Sequence, residues 1–186
     1  SKKVINILDI PLKFKKAFSV NSKESSNYVK KCLIVGHNLC LEKKIKGMIN
    51  CAVSKKNLFK NKNQGVTEFL ARKNKVYKSE VMLIYNKKLS VVPLTTHIKI
   101  KDISKSLKKD IIVNKLKTLD KNYRKYFKKK PKIAILGLNP HNFEFKKNSE
   151  EVKIIKPIVN NLSKKINISG PYSADTIFFY DNLKKF

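Results

Sequence analysis

The spacing of apolar positions changes period several times along the chain, and each change predicts an element. Val4–Leu8 is a short strand-like run that closes at Pro11. Ser22–Ser26 is a polar cluster suited to starting a helix. Tyr28, Cys32, Val35 and Leu39 follow at helical spacing and read as a core stripe, with Gly47 as a stop. Met48–Val53 reads as a second buried strand. Gly65-Val66-Thr67-Glu68 is a turn into a helix, with Thr67 as its cap. Val81–Tyr85 and Leu89–Leu94 flank Asn86-Lys87-Lys88, the pattern of two strands and a tight turn. Asp102 is placed to cap a short helix. A longer one runs over Asp110–Phe127 with Ile112, Leu116, Leu119, Tyr123 and Phe127 on one face.

Ile133–Leu136 is an unbroken apolar run, as in a strand covered on both faces. Gly137 permits an abrupt turn, and Pro140 pushes Asn139 away from helical geometry. Ser149 is placed to cap a further helix, with Glu150 and Glu151 in its first turn and Pro157 kinking it. Those two carboxylates need no catalytic explanation. Ile166–Ile168 then leads to Gly170-Pro171. Strand-like runs alternating with helical ones predict an α/β fold.

Residues 1–186 read as one region with no internal repeat and no low-complexity linker. The hydrophobic fraction of 41% suits a globular protein. No apolar run approaches the ~18 residues of a membrane span, and no signal peptide opens the chain. Opening on Ser1 in mid-pattern, it reads as a piece of a longer protein. Cys32, Cys40 and Cys51 form no disulfide framework and no zinc spacing, which points to a reducing compartment, the cytoplasm.

The formal charge of +30 raises the question of nucleic acid. Of 43 basic residues, however, only Arg72 and Arg124 are arginine, and arginine supplies the bidentate contacts of specific readers. The lysines are scattered over every segment. Lys, Asn and Ile together read as a compositional drift applied to an ordinary fold, and a phosphorylated substrate would still profit from the positive field; a basic nucleic-acid-binding protein is the alternative of another class.

Two predicted strands end in histidines: Thr95-Thr96-His97 and Asn139-Pro140-His141. Ligands of open α/β sheets bind beyond the carboxyl ends of strands. Two of the three histidines at such places suggest a shared site, although a catalytic zinc normally takes three protein ligands. His37 lies off the stripe of its helix and is assigned no chemistry. Lys55, directly after the Met48–Val53 run, and Thr67, at a helix start, are positioned for an anionic ligand. No GxGxxG or Walker loop is present, so an ordinary Rossmann or P-loop nucleotide site is not indicated.

Taken in order, Gly65-Val66-Thr67-Glu68-Phe69-Leu70, Thr95-Thr96-His97, Gly137-Leu138-Asn139-Pro140-His141 and Gly170-Pro171-Tyr172-Ser173-Ala174-Asp175-Thr176 resemble the 4-hydroxythreonine-4-phosphate dehydrogenases of pyridoxal phosphate biosynthesis. The resemblance covers nearly all of this chain but only the middle of the family's chain.

It implies a three-layer α/β/α fold like the isocitrate and isopropylmalate dehydrogenases, truncated at both ends. It implies a homodimer with its active site between subunits. The implied reaction is NAD- or NADP-dependent oxidation at C3 of 4-phosphohydroxy-threonine followed by decarboxylation, assisted by a divalent metal (Zn, Mg or Co). By motif match His97 and His141 are two of three metal-binding histidines, and Thr67 is the substrate-binding threonine. Lys55 and Asp175 match with less support. No catalytic or cofactor-binding residue is assigned.

Two departures stand out. Val66 occupies a place where the family usually has His, which keeps a related dehydrogenase for threonate or erythronate 4-phosphate as an alternative. The loop 142–147 is not glycine-rich as it is in the family. The third metal histidine falls outside this chain, so the 186-residue polypeptide alone is expected to be inactive.

Overall fold

The computed structural model describes residues 4–16, 19, 22–59, 65–179 and 186; at 22, 55, 56 and 143–145 it describes the backbone alone. The chain divides into two compact units, Ser1–Lys73 and Asn74–Phe186.

The first unit is helical. α1 spans Ser22–Leu41, α2 Lys55–Leu58 and α3 Val66–Lys73. Leu33, Leu58 and Phe59 form its buried cluster, joined by Val29, Met48, Val53, Val66 and Phe69. The buried face of α1 thus runs through Ser26, Val29 and Leu33, one residue off the expected stripe of Tyr28, Cys32, Val35 and Leu39. The reason is tertiary. The Ser26 hydroxyl donates to the Asn57 carbonyl at 2.8 Å, which turns that face toward α2. α1 also stops earlier than Gly47: Lys43 takes a left-handed φ of 59°, and the Lys44 N–H returns to the Leu39 carbonyl at 3.0 Å.

Val4–Leu8 and Met48–Val53 are not strands. Val4, Ile5, Ile7, Leu8 and Ile49 are exposed, and a strand needs a partner for its backbone as well as apolar side chains. Thr67 does not cap α3. It lies within the first turn, exposed, while the Glu68 carboxylate accepts the Gly65 N–H at 2.8 Å.

The second unit holds a parallel βαβ arrangement. α4 spans Ile103–Ser106, α5 Lys109–Phe127, β1 Ile133–Leu136, α6 Lys156–Leu162 and β2 Ile168–Tyr172. β1 pairs with β2 in the register Ile133↔Ile168, Ala134↔Ser169 and Leu136↔Tyr172, with an irregularity between the last two. One core joins Ile112 and Leu116 of α5, Ile135 of β1, Ile155, Ile158, Val159 and Leu162 around α6, and Ile166 and Ile168 at β2. α5 runs as its periodicity predicts; the Tyr123 and Phe127 rings pack at a tilt with centroids 4.5 Å apart, and Phe127 stacks on Tyr85.

The expected hairpin over 81–94 reduces to one antiparallel bridge, Ile84 with Val91, bonded in both directions at 2.9 Å. Asp102 precedes α4 but makes no side-chain cap bond. Ser149 does cap, accepting the Val152 N–H at 3.3 Å. The irregularity expected at Pro157 is a wide turn over Glu151–Ile155, in which the Lys156 N–H reaches back five residues to the Glu151 carbonyl before α6 begins. Among the described residues no helix is long and apolar enough to cross a membrane.

Candidate functional site

The parallel pairing of β1 and β2 puts both strand ends at one edge of the second unit. The loop after β1 carries Asn139, His141 and Asn142; the segment after β2 carries Ser173 and Asp175. The His141 Nδ1 lies 3.4 Å from the Asp175 carboxylate. The Ser173 hydroxyl donates to the other Asp175 oxygen at 2.6 Å. This hydroxyl, followed by backbone N–H groups and His141, holds Asp175 below its ordinary value of 3.8 against a smaller opposing effect of burial. His141 is 75% exposed, so its second ring nitrogen is open to a ligand.

The β1 loop is held by buried polar groups that its sequence did not announce. Glu151 has no exposed surface. Its carboxylate accepts the N–H of Leu138 at 2.8 Å, the N–H of Asn139 at 2.9 Å and the Asn139 amide at 3.1 Å. Burial pushes Glu151 up, but these bonds to Asn139 and Leu138 outweigh it, and its pKa ends below 4.5. Glu150 accepts the same Asn139 amide at 3.0 Å and also the Ser104 hydroxyl. The Ser104 bond, then the Asn139 bond, lowers its pKa as well. On the other side, the buried Asn142 donates its amide to the Pro171 carbonyl at 3.2 Å, tying the His141 loop to β2.

His141 and Asn142 adopt left-handed φ values of 49° and 54°. So does His97, at 56°, in the loop after Val91. Both candidate histidines thus hold a backbone conformation uncommon for residues with a Cβ, as do Lys43, Lys75, Lys78 and Lys128.

A profile of the family described as pyridoxal phosphate biosynthetic protein PdxA matches residues 1–186. The chain belongs to the PdxA family. Relatives named 4-hydroxythreonine-4-phosphate dehydrogenase include that of Sulfurihydrogenibium sp. (strain YO3AOP1), 33% identical over 180 residues, which are 94% of this chain and 54% of the relative. Another, from Aquifex aeolicus (strain VF5), is 40% identical over 117 residues, 62% of this chain and 36% of the relative. The crystal structure of the 4-hydroxythreonine-4-phosphate dehydrogenase from Klebsiella pneumoniae superposes with a TM-score of 0.78 at 26% identity, covering 88% of this chain and 51% of that one. The α/β class read from the sequence is therefore the class of this chain. The chain spans about half the length of the relatives it matches.

Within this PdxA-family chain, the predicted site residues are distributed as follows. His97, His141 and Asp175 lie in the second unit, and His141 and Asp175 meet. Thr67 and Lys55 lie in the first unit; Lys55 opens α2 directly after an irregular segment, and its side chain falls outside the described residues. Val66 packs on the Leu33–Leu58–Phe59 cluster, which gives this valine a packing role. His37 is partly buried in α1. Neutral imidazoles suit a transition metal. Among the described residues, however, no group of three or more His, Cys, Asp or Glu is placed to hold a metal ion. The donor types fit a metal, but their number among the described residues falls short of a complete set.

Proposed function

We propose that this chain is the central part of an NAD- or NADP-dependent dehydrogenase acting on 4-phosphohydroxy-L-threonine, oxidising C3 and leading to loss of carbon dioxide. The observation that carries the reading is the His141–Asp175 pair, at the ends of two parallel strands and built from the two most specific family motifs. Asp175 stands 3.4 Å from Nδ1 of an exposed imidazole, a placement from which a carboxylate selects the tautomer of a working histidine and leaves Nε2 for a ligand. The excess of lysine draws an anionic, phosphorylated substrate toward the chain.

His97 and His141 are proposed as two ligands of a divalent ion, the remaining donor lying outside the described residues; such an ion supplies charge stabilisation to a developing alkoxide. Thr67, Asp175 and Lys55 are proposed as substrate-binding groups, and a homodimer as the working assembly.

The test is an NAD(P)H-formation assay with 4-phosphohydroxy-L-threonine, run beside threonate and erythronate 4-phosphate. The 186-residue chain alone is expected to show no turnover. A protein in which this chain is joined to the flanking segments of a full-length relative is expected to oxidise the amino substrate in preference. Preference for the sugar acids would move the assignment to the related dehydrogenases. No oxidation of any of the three would overturn the reading.

A further inference from the structure

The two histidine-bearing segments of the second unit are far apart in sequence, yet one carboxylate touches both. Three residues after His97, a tight helical turn over Ile100–Asp102 runs directly into α4, and the Ile103 N–H closes on the Ile100 carbonyl. The piece 100–106 is thus continuous, with Leu94 before it and Leu107 after it packed on the core. Ser104 in this piece donates its hydroxyl to Glu150. The other Glu150 oxygen accepts the Asn139 amide at 3.0 Å, two residues before His141. Asn139 is itself locked by Glu151 through backbone and side chain. A first-turn glutamate with only a helix-dipole task would face solvent and bond neither partner.

We propose that Glu150 is a positioning residue. Its carboxylate ties the His97 segment, through Ser104, to the His141 loop, through Asn139, and so sets the separation of the two imidazoles. The inference rests on the reading of His97 and His141 as ligands of one ion. Nothing in either local sequence supplies this spacing, because His97 and His141 stand on separate loops whose φ values alone do not relate them.

Hydrogen exchange read by mass spectrometry on the 186-residue chain tests the tie without any metal. Glu150→Ala is expected to speed exchange in both 99–107 and 137–142 by about tenfold, as for loss of a bond to a charged acceptor, while α6 keeps its protection. Ser104→Ala is expected to speed 99–107 alone. Glu150→Gln, whose single amide oxygen accepts from one partner at a time, is expected to restore part of the protection. If Glu150→Ala leaves either segment unchanged, or, should that variant not fold, Glu150→Gln leaves both unchanged, the tie is overturned.

Zn²⁺ affinity, measured by competition with a chromophoric chelator, separates the two claims. His97→Ala and His141→Ala are expected each to weaken binding. Glu150→Ala is expected to weaken it about tenfold, as removal of an outer partner does, and to add nothing in the His97→Ala background. If neither histidine variant changes Zn²⁺ affinity, the shared-ion reading fails while the exchange result still decides the tie. Additive loss in the double variant would reduce Glu150 to general stability and overturn its positioning role.

Discussion

The carboxylate of Glu151 accepts the backbone N–H of Asn139 at 2.9 Å from a side chain with no exposed surface. A buried charge survives only where donors surround it. Here two backbone N–H groups and an amide do so, and in return the carboxylate holds open the turn between β1 and His141. Glu151→Ala leaves the Leu138 and Asn139 N–H groups without their acceptor and is expected to cost about 2–3 kcal/mol. Glu151→Gln retains one acceptor oxygen and is expected to cost less. Urea unfolding at neutral pH measures both; an unchanged midpoint for the alanine variant would falsify the anchoring role.

The same pair of glutamates makes stability depend on acid. Glu150 and Glu151 both sit below 4.5 in the folded chain, Glu150 through Ser104 and Asn139, Glu151 through Asn139 and Leu138 against its own burial. A folded-state value below the unfolded one stabilises the fold above the unfolded value. That contribution is lost as pH falls through the lowered folded values. The urea midpoint is therefore expected to hold from neutral pH down to about 5 and to fall below about 4.5. In Glu151→Gln the fall should be shallower. Equal slopes in the two proteins would assign the acid sensitivity to other carboxylates.

Gly170 has φ +126°, and a Cβ there would press on the Ile135 carbonyl of the neighbouring strand. Gly137 is tight for another reason: a Cβ would stand 3.2 Å from the Glu151 Cγ and run into the Asn142 amide. Gly170→Ala combines backbone strain with a clash against main chain, and about 2 kcal/mol or more is expected. Gly137→Ala meets side chains instead of main chain and has no left-handed φ to strain, and it is expected to cost less. The order of the two thermal midpoints checks the argument.

Asn142 offers a separation of conformation from bonding. It is buried, left-handed at φ 54°, and its amide reaches the Pro171 carbonyl at 3.2 Å. Asn142→Ala loses the bond, about 1 kcal/mol, and keeps the left-handed strain of a Cβ residue without asparagine's tolerance of it. Asn142→Gly loses the bond but not the conformation. The glycine variant is expected to be the more stable of the two, and the reverse order would mean that Asn142 acts by filling space beside Gly137.

What the sequence determined by itself was whatever closes over a short stretch of chain. α5 is legible because its hydrogen bonds lie within the segment and its apolar face repeats every turn. β1 is legible because four apolar residues in a row end at Gly137 and Asn139-Pro140. The Ser149 cap and the break at Pro157 are equally local. Four short motifs, with His97, His141, Thr67 and Asp175 among their residues, sufficed for the family.

Tertiary structure decided everything whose partner is distant. Val4–Leu8 and Met48–Val53 carry strand-like composition, but apolar side chains do not supply backbone partners, and these runs stay irregular. The buried face of α1 turned by one residue because Ser26 found the Asn57 carbonyl. Glu150 and Glu151 read as first-turn residues placed favourably at a helix start, yet their roles come from Ser104, Leu138 and Asn139, which no spacing rule connects to them. The meeting of His141 with Asp175 likewise belongs to the parallel register of β1 and β2. A helix carries its partners within itself; a strand edge, a buried carboxylate and a site must wait for the rest of the chain to bring theirs.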